Sequence, residues 1–236
     1  MSASAAVPQA GKLLVKVCGI TREADVRLCA ELGADLLGFI FHPGSPRNTT
    51  PEFPARLKTP GVRKVGLFVR QNPMEALSIM AAGRLDLAQL HGGQTESYCA
   101  ALASRIGAER IIKVFWPEKA ASLEEFQAEL DRYAPYCALM LADAGAGGGG
   151  HGRAIDGHGA EILAAARFPR PWLLAGGLAP ANIEAMLSQF RHSGCGPAGL
   201  DINSGVESAP GAKDETLLRQ AFAVINAANA QNAAKN

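Results

Sequence analysis

Lys16 and Cys18 stand two residues apart in the apolar run LLVKVC (13–18). Side chains alternate across a strand with period two, so these two share a face. If Val15 and Val17 turn toward flanking helices, Lys16 and Cys18 point inward. An ammonium beside a thiol favours the thiolate, which would make Cys18 a base or nucleophile near neutral pH. The same residue also fits a small core filler. Asp143 closes a second apolar run, YCALMLA (136–142), ahead of the stretch AGAGGGGHGR. A carboxyl at the mouth of an apolar cavity can have a raised pKa and serve as a general acid, or it can simply cap loop N–H groups. The glycine run Gly147–Gly152 fits either a flap that covers a ligand and excludes water or a plain flexible loop.

Two glycine-bearing pairs, Gly176-Gly177 and Ser204-Gly205, let backbone N–H groups come close to an anion, as a phosphate site requires. Arg47, in the loop HPGSPRNTT (42–50), has the planar fork that suits a carboxylate or phosphate. The five cysteines are odd in number, widely spaced and without a C-x-x-C, so neither a disulfide framework nor a zinc site is indicated. His151 and His158 have no metal-ligand partners at useful spacing, and no metal is expected.

These groups need elements to position them, and the hydrophobic pattern supplies a regular series. Strand candidates fall at 13–18, 35–41, 62–69, 85–90, 110–115, 136–142, 171–176 and 198–202. Helix candidates lie at 22–32, 51–58, 73–83, 95–106, 122–132, 159–167, 180–190 and 214–227. Strands separated by helices imply parallel pairing with right-handed crossovers. Eight such units in 236 residues favour an α/β fold of the closed (βα)8 TIM-barrel type in a single domain. An open doubly wound sheet would show Gly-x-Gly-x-x-Gly after its first strand, and Cys18-Gly19-Ile20-Thr21 is not that fingerprint. The barrel is expected over 12–228, preceded by a disordered lead-in (1–11) and followed by a flexible tail (229–236).

In this barrel the reactive groups come from the carboxyl ends of the strands. That shortlist holds Lys16 and Cys18, His42 and Arg47, Gln89 and His91, Lys113, Asp143, Gly176 and Gly177, then Asp201, Asn203, Ser204 and Gly205. His42 reads as incidental. His91 fits either the site or a structural role beneath it. Lys113, if it points inward from the fifth strand, offers a competing chemistry, the Schiff base of a sugar-phosphate aldolase. With 23 Lys+Arg against 22 Asp+Glu and a formal charge of +1, there is no basic excess for nucleic acid. No apolar run reaches the ~18 residues of a membrane span. A cytoplasmic protein is expected, as a monomer or homodimer, acting on a small molecule.

The motifs KVCGIT (16–21), ADLLGFIFHPGSPR (34–47), LAQLHG (87–92), LAD (141–143), LLAGGLAPANI (173–183) and GLDINSGVESAPGAKD (199–214) occur in order over about 200 residues. Together they resemble phosphoribosylanthranilate isomerase. The resemblance implies an Amadori rearrangement in tryptophan biosynthesis, without metal or organic cofactor, with Cys18 as general base and Asp143 as general acid. It further implies that Arg47 holds the anthranilate carboxylate and that Gly177, Ser204 and Gly205 take the phosphate. Asp201 would orient a sugar hydroxyl, and Gln89 and His91 would support the site. In the stretch GGHGRAIDG (149–157), Ile155 and Gly157 stand where the family has aromatic residues.

Overall fold

The structure is a computed structural model that describes residues 12–144, 157–190 and 196–233. The lead-in 1–11, the glycine run 147–152, His151 and Cys195 lie outside the described residues.

Eight parallel strands close into one barrel. They are β1 (Leu14–Val17), β2 (Leu36–Ile40), β3 (Arg63–Phe68), β4 (Leu87–Leu90), β5 (Ile111–Phe115), β6 (Leu139–Asp143), β7 (Trp172–Ala175) and β8 (Gly199–Ile202). β8 pairs with β1, setting Lys16 opposite Asp201. The helices are α1 (Glu23–Leu32), α2 (Glu52–Arg56), α3 (Pro73–Ala82), α4 (Glu96–Ile106), α5 (Leu123–Tyr133), α6 (Gly157–Ala165), α7 (Ile183–Ser188) and α8 (Glu215–Ala233). The alternating pattern read from the sequence is therefore the observed one. No helix among the described residues is long and apolar enough to cross a membrane.

Period-two alternation splits the apolar residues into two cores. Leu14, Leu36, Val65, Leu87, Ile112 and Leu141 fill the barrel interior. Val15, Val17, Phe39, Phe68, Ile111 and Phe115 pack outward under the helices. The helices begin where side chains can satisfy their first N–H groups. Asn72 accepts from Met74 and Glu75 while the Glu75 carboxylate accepts from the Asn72 N–H, a reciprocal cap on α3 with Pro73 at its first position. Ser122 accepts from Glu125 at the start of α5. Gly33, at φ 90°, closes α1 in the left-handed conformation that favours glycine.

The ends depart from expectation in two places. α8 continues past 227 to Ala233, and Asn229 accepts from the Leu13 N–H at 2.8 Å, tying the helix to the entry of β1. After β8 the chain forms an antiparallel hairpin, β9 (Glu207–Ala209) and β10 (Ala212–Lys213). Strands of two and three residues are too short to leave a period-two signal.

Candidate active site

Cys18 follows β1, where its N–H donates to Ile202 O at 2.9 Å and fixes it against β8. As expected, it shares the inward face with Lys16. Lys16 is fully buried and donates to both oxygens of Asp201, at 2.9 and 2.8 Å. Gly38 of β2 makes this possible, because a Cβ there would lie 2.8 Å from Cys18 Sγ and 3.1 Å from Lys16 Nζ. Burial opposes the Lys16 ammonium, yet the Asp201 carboxylate and the Cys18 sulfur outweigh it and raise its pKa. Burial pushes the Cys18 pKa up, and the opposing pull of Lys16 and Lys213 does not reverse it. The Asp201 carboxylate that pairs with Lys16 adds its own upward push on the thiol.

Asp143 is the last residue of β6, 3% exposed. His91 Nε2 stands 3.8 Å from Asp143 Oδ2, a contact too long for a direct hydrogen bond. On its other side the His91 Nδ1 meets Gln89 Nε2 at 3.2 Å, and the ring stands perpendicular to Trp116, centroids 5.5 Å apart. Burial, then the charges of Lys16, Lys113 and Lys119, lower the His91 pKa to about 4. His91 is therefore a neutral imidazole at ordinary pH. Gln89 Oε1 is buried without a hydrogen-bond partner among the described residues.

Arg47 reaches over the barrel mouth from the loop after β2. Gly19, at φ 73°, admits it, since a Cβ there would lie 2.7 Å from Arg47 Cδ and 2.6 Å from Asn203 Oδ1. On the far side, Gly176 (φ 102°) and Gly177 (φ 62°) turn the chain after β7. Asn182 fixes that turn, donating to Gly177 O at 2.9 Å and accepting from the Ala179 N–H at 2.8 Å. Gly205 packs so closely that a Cβ would lie 2.0 Å from Leu178 O.

These elements enclose a cavity of about 300 Å³, at the small end of the ~300–1,000 Å³ range of ligand sites. Cys18, Arg47, Gln89, His91 and Asp143 line it, together with Gly176, Gly177, Asp201, Asn203 and Ser204. His42, expected to be incidental, lines it too. Lys16 and Gly205 do not: one lies beneath the floor, the other backs the wall. Lys113 also departs from expectation. It shares the outward face of β5 with Ile111 and Phe115, and its Nζ lies 5.1 Å from the Tyr133 ring centroid. An outward lysine cannot form a Schiff base with a ligand in the barrel, and the aldolase alternative falls. Among the described residues, no group of three or more His, Cys, Asp or Glu side chains is arranged to hold a metal ion.

A family model described as N-(5'-phosphoribosyl)anthranilate (PRA) isomerase matches residues 15–224. The chain belongs to this family. It is an isomerase of tryptophan biosynthesis. It is 49% identical over 213 residues to an N-(5'-phosphoribosyl)anthranilate isomerase of Maridesulfovibrio salexigens, covering 90% of this chain and 98% of that one. Among solved structures it resembles phosphoribosyl anthranilate isomerase from Thermus thermophilus, with a TM-score of 0.73 at 37% identity and 91% and 99% of the two chains covered. A second isomerase structure, 29% identical with a TM-score of 0.72, covers 91% of this chain and 99% of its own. That protein is in complex with reduced 1-(o-carboxyphenylamino)-1-deoxyribulose 5-phosphate.

Two charged residues of the isomerase escaped the sequence reading. Glu207 of β9 accepts from Arg47, Nε at 3.0 Å to each oxygen and Nη2 at 2.6 Å. Lys213 of β10 donates to the same carboxylate at 2.8 Å and to Asn203 Oδ1 at 2.9 Å. A signal was present: Glu207 and Lys213 flank Pro210-Gly211, a dipeptide that marks a tight turn and brings the flanking charges together.

Proposed function

We propose that in the isomerisation of phosphoribosylanthranilate Asp143 acts as the general acid and Cys18 as the general base. Asp143 protonates the furanose ring oxygen, and the ring opens to a Schiff base between the first sugar carbon and the anthranilate nitrogen. Cys18 then takes the proton from the second sugar carbon as the thiolate, the form that Lys16 and Lys213 favour against the opposing effect of burial. The resulting enolamine tautomerises to the ketone, giving 1-(2-carboxyphenylamino)-1-deoxyribulose 5-phosphate. The observation that carries this reading is that Cys18 and Asp143 line one cavity from strands three steps apart around the barrel. An acid and a base on separate walls can address different atoms of one sugar.

The neutrality of His91 supports the acid. A neutral imidazole 3.8 Å from Asp143 adds no cation there that would favour the ionised carboxylate. Lys16 serves the base from below, adding positive potential near Cys18 while holding Asp201 toward a sugar hydroxyl. Arg47 takes the anthranilate carboxylate. Gly177 and Ser204 offer backbone N–H groups to the phosphate at the opposite end, and Gly205, packed behind the wall, shapes the turn that carries Ser204. The ligand named for the related structure carries the same two anionic ends.

The test is the loss of phosphoribosylanthranilate fluorescence with freshly made substrate and the purified chain. Cys18→Ala and Asp143→Ala are each expected to lower kcat by about 10²- to 10⁴-fold with unchanged far-UV circular dichroism. Near-normal turnover in either variant removes the role given to that residue, and a wild-type chain that leaves the signal intact removes the reading altogether.

A further inference from the structure

The Arg47 guanidinium is already half used. Its Nε and Nη2 edge lies against Glu207, while Nη1 makes no hydrogen bond with the described residues. Both partners are withdrawn from water, with side chains 12% and 4% exposed. Glu207 is itself over-determined. It takes the Lys213 ammonium at 2.8 Å and the Gly211 N–H at 3.2 Å. Lys213 reaches on to Asn203 O at 3.1 Å, and the Lys213 N–H donates to Asp25 Oδ2 at 3.3 Å. Arg22 grips the same carboxylate at 2.9 and 2.7 Å and also donates to Lys213 O at 2.7 Å. The hairpin is thus bolted to α1 and to the end of β8, and it presents one carboxylate to Arg47.

We infer that Glu207 is the positioning residue for Arg47, held by the β9–β10 hairpin so that the free Nη1 edge of the guanidinium meets the carboxylate end of the substrate. This rests on the reading of Arg47 as the carboxylate-binding group. Three physical points carry it. An arginine on a long loop has many rotamers, and ordering it at the moment of binding weakens affinity; Glu207 orders it beforehand. A bidentate carboxylate fixes the plane of the guanidinium as well as its place. Finally, Glu207 faces two cations, Arg47 and Lys213, so this corner keeps a surplus positive charge. An incoming carboxylate completes the balance without displacing Glu207.

The experiment is steady-state kinetics on phosphoribosylanthranilate with Glu207→Gln, Arg47→Ala and the double variant. Glu207→Gln keeps the shape and one acceptor oxygen, so it retains the fold. It is expected to raise KM about five- to tenfold, the value of one pre-ordered side chain, with kcat within about twofold. In the Arg47→Ala background the same change should alter KM less than about twofold, because its effect passes through Arg47. A KM near wild type, a lowered KM, or an effect that persists undiminished without Arg47 overturns the inference. A wild-type KM in Arg47→Ala would instead remove the reading of Arg47 on which it rests, and a chain without isomerase activity would remove the reading of the site.

Discussion

Lys16→Met tests how the floor of the site is held together. Lys16 is fully buried and Asp201 is 8% exposed, so removing the ammonium leaves a carboxylate in the barrel without the partner that now takes both its oxygens. Breaking a buried pair in this one-sided way costs about 3–5 kcal/mol. The positive field of Lys213 also acts on Asp201, which puts the expectation near the lower end, about 3 kcal/mol. With a urea slope of about 2–3 kcal/mol per molar, the midpoint should fall by about 1 to 1.5 M. Far-UV circular dichroism and tryptophan fluorescence give the two unfolding curves. The stranded carboxylate would relieve itself by taking a proton, so its folded-state pKa lies above the unfolded value of about 3.9. The penalty is then smallest below that value and grows as pH rises through the folded pKa. Adding Asp201→Asn removes the stranded charge and should restore at least half of the loss. A single variant within about 1 kcal/mol of wild type, or a double variant no more stable than the single, refutes the view that the pair is an ionised, mutually dependent unit; the comparison value is the same buried-pair cost.

The low His91 pKa makes a prediction about acid stability. The unfolded chain takes a proton near pH 6.5 and the folded chain only near 4, so stability should decline as pH falls across that window. Because the side chain is 21% exposed, the loss attributable to it is roughly 2 kcal/mol rather than the full ~3. His91→Gln should flatten the pH dependence between pH 6.5 and 4 in urea titrations, and an unchanged slope would count against a half-buried neutral imidazole. Gly205→Ala forces a methyl to within 2.0 Å of Leu178 O, so the loop that carries Ser204 must move. Inhibition by inorganic phosphate should weaken about tenfold or more, and an unaltered inhibition constant would detach Gly205 from the phosphate end.

Much of this architecture was legible because repetition amplifies weak signals. A run such as LLVKVC says little alone, but eight short apolar runs separated by helical periods leave few topologies open. The barrel then fixes the facing of side chains by register, which is why the inward pairing of Lys16 with Cys18 and the placement of Asp143 could be read before any coordinates. What could not be read depended on competition among charges. The sequence puts Lys16 beside Cys18 but cannot show that Asp201, 185 residues away, claims the ammonium, nor that burial outweighs what remains for the thiol. Lys113 failed for another reason. Its run, RIIKVF, is apolar on both faces, so alternation could not say which side faced the barrel.

The same division separates how the two ends of the site are built. The floor is strand-borne: Cys18, Asp143 and Asp201 are held by backbone ladders that a point substitution does not re-aim. The rim is loop-borne. Arg47 is aimed by Glu207, which owes its place to Lys213 and, through the Lys213 backbone, to Arg22 and Asp25. On the proposed roles, a change in β9 or β10 would act on the substrate at a distance, through the angle of one guanidinium, while leaving Cys18 and Asp143 where they are. Selection for acceptance of altered aromatic ends should collect substitutions at 207–213 and in the loop carrying Arg47, because on the proposed roles those positions would alter binding of the carboxylate end without disturbing proton transfer at the sugar.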